Sequence, residues 1–265
     1  MQDSKNLIIA IVLCLIVIVG WGYLAEHMGW TSKPAPVAQQ QQQNQQVPQQ
    51  LAQTAPAPAQ PSLPVFTPSA GRDITVDTPL YEAVVYSGGG ALRSFKLKKF
   101  QVGLAADSPL VNMVDAKTAQ VAPMGLVINS QPSWSTGQWT VDSGENGLAL
   151  GESQQGSLRL TGEVDNLRVV RDLTFNASSY VIQEKVRVTN LSEQARSVRV
   201  SYTAAADASN AAGDRYDAMR VAWDNDGSLK EESSASTLET TGVQAVGKIY
   251  WAGAMSTYFL TAVMP

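Results

Sequence analysis

Histidine and cysteine are almost missing from this chain of 265 residues: His27 and Cys14 are the only ones. Both lie within the first thirty residues, so everything downstream lacks imidazole and thiol. That excludes a Ser-His-Asp triad, a Cys-His pair and a His-ligated zinc site in the later part. One cysteine makes no internal disulfide, and a domain with a large enough core needs none in any compartment. Charge is sparse too, at 16% of residues with a formal net charge of −4. Asp3, Lys5, Glu26 and Lys33 are the only charged side chains of residues 1–70, so the remainder carries the whole −4. Such a mildly acidic domain is a poor fit to nucleic acid, or to anionic lipid, as its main partner. Heptads, internal repeats and an alternating βαβ pattern are also missing.

What is present begins with Leu7–Ala25, LIIAIVLCLIVIVGWGYLA, in which Cys14 is the only ionisable side chain. A helix of this length is about 28 Å long, close to the hydrocarbon thickness of a bilayer. A segment apolar all round has no solvent face, so it reads as a transmembrane helix, with Leu7, Ile11, Leu15, Val19, Trp21 and Tyr23 as membrane-anchor residues. Trp21, Tyr23 and Trp30 gather where rings favour the membrane–water interface. A cleaved signal peptide fits less well, because the run exceeds an ordinary apolar core and Tyr23-Leu24-Ala25 is no small-x-small site. Lys5 and the α-amino group give a slight bias toward a cytoplasmic N-terminus for residues 1–6.

Residues 31–70 hold eight of the thirteen prolines, eleven glutamines and one charge, Lys33. They bury too little apolar surface to offset their ordering entropy and are expected to be a disordered linker. This is either a tether holding a domain off the membrane or a low-complexity insertion.

From Gly71 the texture is that of a β domain. Asp73–Asp77 and Tyr81–Tyr86 alternate and precede turn signals, Thr78-Pro79 and Ser87–Gly90. Short strands are expected at 124–128 and 139–141. The clearest evidence is 157–161, 167–175, 180–189 and 196–202, where apolar residues alternate with Arg, Lys and Glu on the other face. Such strands are antiparallel with one buried side, and several joined by short turns indicate a β-sandwich. A turn is expected at Glu163–Asn166. Residues 204–248 read as loops with short strands, and the apolar end at 248–265 reads as a truncated domain.

Several motifs bear on chemistry. Gly88-Gly89-Gly90 is followed by Ala91-Leu92-Arg93 rather than Gly-Lys-Ser/Thr, so it reads as a hairpin turn, not a phosphate loop. Asp207, Asp214, Asp217, Asp224 and Asp226 form a loose acidic cluster without the remaining ligands of an EF-hand, and read as a solvated turn. Trp134, Trp139 and Trp223 flank loops, where they either pack or line a groove for sugar or peptide. No catalytic, cofactor-binding or metal-binding residues are assigned.

The N-terminal Asp3-Ser4-Lys5-Asn6-Leu7, the Pro/Gln-rich tether and Gly89-Gly90-x-Leu92-x-Ser94-Phe95-x-Leu97 resemble the YidC/Oxa1/Alb3 family of membrane protein insertases in its Gram-negative form. So does the block from Trp251 through Tyr258, Phe259 and Thr261 to Pro265, with Ser256-Thr257 where many relatives carry Asp-Lys. The resemblance implies a mainly β, antiparallel β-supersandwich domain, galactose-mutarotase-like, over 71–265 in the periplasm of a bacterium. It also implies a non-enzymatic insertase or chaperone of the inner membrane. Its partners would be the lipid bilayer, nascent inner-membrane proteins, the Sec translocon and the SecDF accessory complex. Gly89, Gly90, Leu97, Trp251, Tyr258, Phe259, Thr261 and Pro265 would be structural or partner-docking residues. The alternatives are a membrane-tethered periplasmic carbohydrate- or peptide-binding module, and a secreted glycan-active enzyme.

Overall fold

The computed structural model describes residues 66–67, 70–136, 138–142, 147–206 and 219–265. The expected membrane helix at 7–25, most of the linker, and Asp207, Asp214 and Asp217 lie outside these residues. Among the described residues no helix is long and apolar enough to cross a membrane.

The domain is mainly β. Its first strands are β1 (Asp73–Asp77), β2 (Tyr81–Tyr86), β3 (Leu92–Gln101) and β4 (Leu110–Asn112). Then come β5 (Leu126–Ile128), β6 (Gln131–Pro132), β7 (Trp139–Asp142) and β8 (Leu148–Ala149). Two ten-residue strands follow, β9 (Gln155–Val164) and β10 (Leu167–Asn176), then β11 (Gln183–Asn190) and β12 (Val200–Tyr202). The last four are β13 (Arg220–Asn225), β14 (Ser228–Glu232), β15 (Ile249–Met255) and β16 (Leu260–Val263). Four sheets result, in the orders β4-β3-β2-β1-β8, β7-β9-β10-β11, β6-β5-β12 and β14-β13-β15-β16. All pairings are antiparallel except β1 with β8.

Local chemistry explains the turns. Asp165 and Asn166 both have positive φ, 51° and 58°, closing β9 to β10 in the two-residue hairpin that short polar side chains favour. Asp226 and Gly227 do the same between β13 and β14, and Gly227 N donates to Asp224 Oδ1 at 2.8 Å. This part of the acidic cluster is a hairpin turn, as its sequence indicates. Tyr180–Ile182 precede β11 rather than joining it, and only Val200–Tyr202 of 196–202 pair. A short helix, α1 (Ala235–Thr240), interrupts the region expected to hold only loops and strands. Ser234 caps it, its hydroxyl accepting from Thr237 N at 3.2 Å.

The core runs along the inner face of the second sheet. Leu158, Leu160, Leu173 and Phe175 pack with Ile74, Val76, Tyr81, Ala83 and Val85 of the first sheet. Val164, Leu167 and Val169 pack instead with Leu126 and Ile128 of the third. On β10 the inward residues are therefore Leu167 and Val169 at one end, and Leu173 and Phe175 at the other. Between them, by the same parity, comes Arg171, with no exposed surface. Arg171, and Glu184 opposite Leu173, thus correct the expectation that the charged residues of these strands face outward. Arg159, Asp172 and Arg187 keep to it: Asp172 accepts from Arg159 Nε at 2.5 Å and from Arg187 Nη2 at 2.7 Å on the outer face.

The turn from β2 to β3 lies against this arginine. Gly90 has φ +78°, and a Cβ there would stand 2.8 Å from Arg171 Nη1. Gly227 has nearly the same backbone, φ +80°, with nothing within 4 Å of a Cβ. Gly227→Ala should cost about 1–2 kcal/mol of backbone strain. Gly90→Ala should cost the same plus about 1–3 kcal/mol for overpacking. Urea unfolding midpoints of the two variants check this; equal losses would show that the arginine yields to the new methyl.

Candidate functional site

The densest polar constellation is the one around Arg171. Its Nε donates to Glu184 Oε1 at 2.5 Å and its Nη2 to Glu184 Oε2 at 3.0 Å, a two-pronged pair across neighbouring strands. Nη1 donates to the carbonyl of Gly89, and Nη2 to that of Met124 at 2.7 Å. The Tyr202 hydroxyl donates to Glu184 Oε2 and lies 3.5 Å from Nη2. One guanidinium thereby ties the β2–β3 turn, the segment entering β5, and strands β10, β11 and β12.

The electrostatics favour a fixed ion pair over a proton-transfer group. Burial alone would lower the Arg171 pKa, but the charge and hydrogen bonds of Glu184, helped by Tyr202, outweigh it and hold it above the usual value. Burial raises the Tyr202 phenol; Arg171 opposes this and Glu184 adds to it. The guanidinium is closed to solvent, and none of its three nitrogens lacks an acceptor. The arrangement acts chemically as a latch, not as an acid, base or substrate clamp.

A groove of about 510 Å³ lies on the first sheet between Phe66, Asp73, Val84, Arg93, Asn112 and Gln120. The Arg93 guanidinium sits 4.7 Å from the centre of the Phe66 ring, which meets Tyr86 edge-on at 5.4 Å. Asn112 Oδ1 is already taken by Phe95 N at 3.0 Å and Val114 N at 3.2 Å. Among the described residues that line it, Asp73 alone carries a carboxylate. No group of three or more metal-binding side chains occurs among the described residues.

A third feature is an aromatic cluster at one end of the first sheet. Phe100 lies 6.3 Å from Tyr180 and meets Phe259 edge-on at 5.6 Å. It brings together the ends of β3 and β10 and the β15–β16 turn.

The residues singled out in the sequence do not converge. Gly89 and Gly90 touch the arginine latch and Trp134: a Cβ on Gly89 would stand 2.8 Å from Trp134 Cα. Leu97 is buried in the first core. Trp251 and Thr261 are half-buried on β15 and β16, Tyr258 is exposed, Phe259 joins the aromatic cluster, and Pro265 is exposed. Leu7, Ile11, Leu15, Val19, Trp21 and Tyr23 fall outside the described residues. Trp134 is fully buried, and Trp139 Nε1 donates to Ser133 O at 2.8 Å, so both pack rather than line the groove. Sequence reasoning missed Arg171, Glu184 and Tyr202. Parity would have found the first: Arg171 is in step with Leu167, Val169, Leu173 and Phe175.

Two outcomes follow for the latch. Arg171→Ala leaves Glu184 buried beside empty space and should cost about 3–5 kcal/mol, while Arg171→Met with Glu184→Leu should recover part of it. Urea titrations measure both; a neutral Arg171→Ala would remove the latch from the account. Alkaline pH tests the tyrosines. Burial pushes Tyr81 up to about 12, and Tyr202 is also raised, above an ordinary value of about 10. The unfolded chain releases these protons first, so stability is full below about pH 10 and falls as pH rises from there. The fall should be shallower in Tyr202→Phe when midpoints are compared between about pH 9 and 11.

Residues 73–265 match the family model described as the YidC periplasmic domain. A membrane protein insertase YidC from Nitratidesulfovibrio vulgaris (strain Miyazaki F) is 49% identical over 268 residues, covering 100% of this chain and 49% of the relative. The corresponding protein of Oleidesulfovibrio alaskensis is 41% identical over 269 residues, covering 100% and 49%. That of Lawsonia intracellularis is 38% identical over 263 residues, covering 99% and 48%. The chain thus spans about half the length of the curated relatives it matches. It belongs to the YidC family of membrane protein insertases.

Proposed function

We propose that this chain is the anchored, non-enzymatic part of an insertase of the bacterial inner membrane. The observation that carries the proposal is similarity along the whole chain to proteins named as insertases that are about twice as long. On this reading residues 1–6 are cytoplasmic, 7–25 cross the bilayer, 31–70 are a tether, and 71–265 form a periplasmic domain of supersandwich type. The activity of the full-length protein is to lower the cost of carrying polar flanks of nascent inner-membrane proteins across the bilayer. That cost is high, because each unsatisfied backbone group in hydrocarbon costs several kcal/mol. The machinery for it lies in the other half of the full-length protein. The half described here anchors and docks, with the Sec translocon and SecDF as partners. Gly89, Gly90, Leu97, Trp251, Tyr258, Phe259, Thr261 and Pro265 serve the fold or that docking. A non-enzymatic role is supported by the naming of the relatives as insertases.

Cells depleted of their own insertase provide the test. The full-length protein should restore insertion of a single-spanning inner-membrane client, read by protease protection, and residues 1–265 alone should not. Rescue by residues 1–265 would move the activity into this half. Saturable quenching of tryptophan fluorescence by a monosaccharide would instead favour the tethered carbohydrate-binding reading.

A further inference from the structure

The aromatic cluster at Phe100 is the base of a larger apolar end built from three loops. Residues 102–109 connect β3 to β4, 177–182 connect β10 to β11, and 256–259 connect β15 to β16. Asp107 is the only charged side chain in the three segments. Leu104 is fully exposed at the tip of the first loop, beside exposed Val102, and Tyr180, Val181 and Tyr258 are exposed in the others. Scattered surface apolar residues need no explanation, but three neighbouring loops with one charge between them do.

Two properties distinguish this end from a protein-docking groove. The first is an order along β3 and its loop. Lys98 and Lys99 come first on β3, then Phe100, and Val102 and Leu104 follow beyond its end. Cation, aromatic ring and aliphatic tip follow one another as headgroup, boundary and acyl chain do in a membrane interface. Lys98 holds Asp77 at 2.5 Å, whereas Lys99 is exposed. The second property is that the loops satisfy much of their own backbone. Val102 N donates to Pro109 O at 2.9 Å and Ser108 N to Ala105 O at 3.0 Å. The Gln101 side chain donates to the carbonyls of Ala106 and Ser108 at 3.2 and 3.3 Å. In the other two loops, Ser178 N donates to Asn176 Oδ1 at 2.9 Å, and Phe259 N to Ser256 Oγ at 3.2 Å. Each such bond lowers what these loops lose on leaving water.

We propose that this end of the β domain dips into the lipid–water interface, with Leu104 and Val102 as the inserted tip and Phe100, Tyr180 and Tyr258 at the boundary. Apolar burial drives the contact; the net charge of −4 supplies no general attraction to an anionic surface. Insertion fixes the domain's orientation over the bilayer, which a tether alone leaves open. The proposal rests on the reading that residues 7–25 anchor the chain, and Cys14 lets the two be separated.

The full chain is reconstituted into phosphatidylethanolamine–phosphatidylglycerol vesicles with an environment-sensitive fluorophore at one cysteine. The site is native Cys14, or residue 104 or 229 in Cys14→Ser/Leu104→Cys and Cys14→Ser/Leu229→Cys chains. Leu229 is an exposed control on β14, away from the three loops. Doxyl-labelled lipid should quench most of the fluorescence at 104, iodide should quench it little, and residue 229 should show the reverse. Failure of doxyl lipid to quench at Cys14 would sink the anchor. Quenching at Cys14 with iodide access at 104 would overturn this proposal alone. Protection of 104 from both quenchers would overturn it too, in favour of a second copy or another protein on this face. A Val102→Asp/Leu104→Asp chain labelled at 181 keeps the question answerable should labelled residue 104 perturb its loop. Its doxyl quenching should be largely lost relative to the unsubstituted loop, and unchanged quenching would count against insertion.

Discussion

A guanidinium with no access to water must find its hydrogen-bond acceptors within the protein, and Arg171 finds them in four other segments. Its position makes this more than a local matter. The inner face of the second sheet covers two apolar clusters, one shared with the first sheet and one with the third, and Arg171 lies where they meet. A leucine there would have joined the clusters into one core of indifferent alignment. An arginine demands that Gly89 O, Met124 O and the Glu184 carboxylate all be present at fixed angles. A buried ion pair is weak evidence for net stability, because desolvation offsets much of the attraction. Its contribution is alignment of the β2–β3 turn and the third sheet on β10. The two glycines at 89 and 90 are part of the same device, since side chains there would occupy the space of Trp134 and the guanidinium.

Much of this architecture can be read from the sequence. The alternation in 73–77, 81–86, 157–161 and 167–175 appears as β1, β2, β9 and β10, and the Asp165-Asn166 turn closes the hairpin between the last two. Period-2 patterning works because each of these strands has one face against a core and the other in water. It fails where short strands lie at a margin: Val200–Tyr202 is all that pairs of a longer alternating stretch, and 101–140 is held largely by turns. Arg171 was hidden by residue type, not by pattern. Charge argues for the outer face and parity for the inner one, and four paired acceptors decide for parity.

The functional surfaces are harder to read, for a physical reason. The groove beside Phe66 takes residues from 66 to 120, and the apolar end takes loops from 102, 177 and 256. Neither is a contiguous motif, so no window of sequence contains it. Leu104 looks like an ordinary loop residue until Phe100, at the foot of its loop, is seen against Tyr180 and Phe259. Family membership likewise follows from similarity along the whole chain, whereas the blocks at 89–97 and 251–265 occupy separate parts of the fold.

The arginine latch also bears on folding. It joins Gly89 to Arg171 across 82 positions and is completed by the Tyr202 phenol, so it is one of the long-range contacts that slow the folding of β proteins. A chain cut short anywhere before β12 would keep both long strands of the second sheet and lack the phenol that completes the network. The network is therefore complete only in a chain that extends through β12.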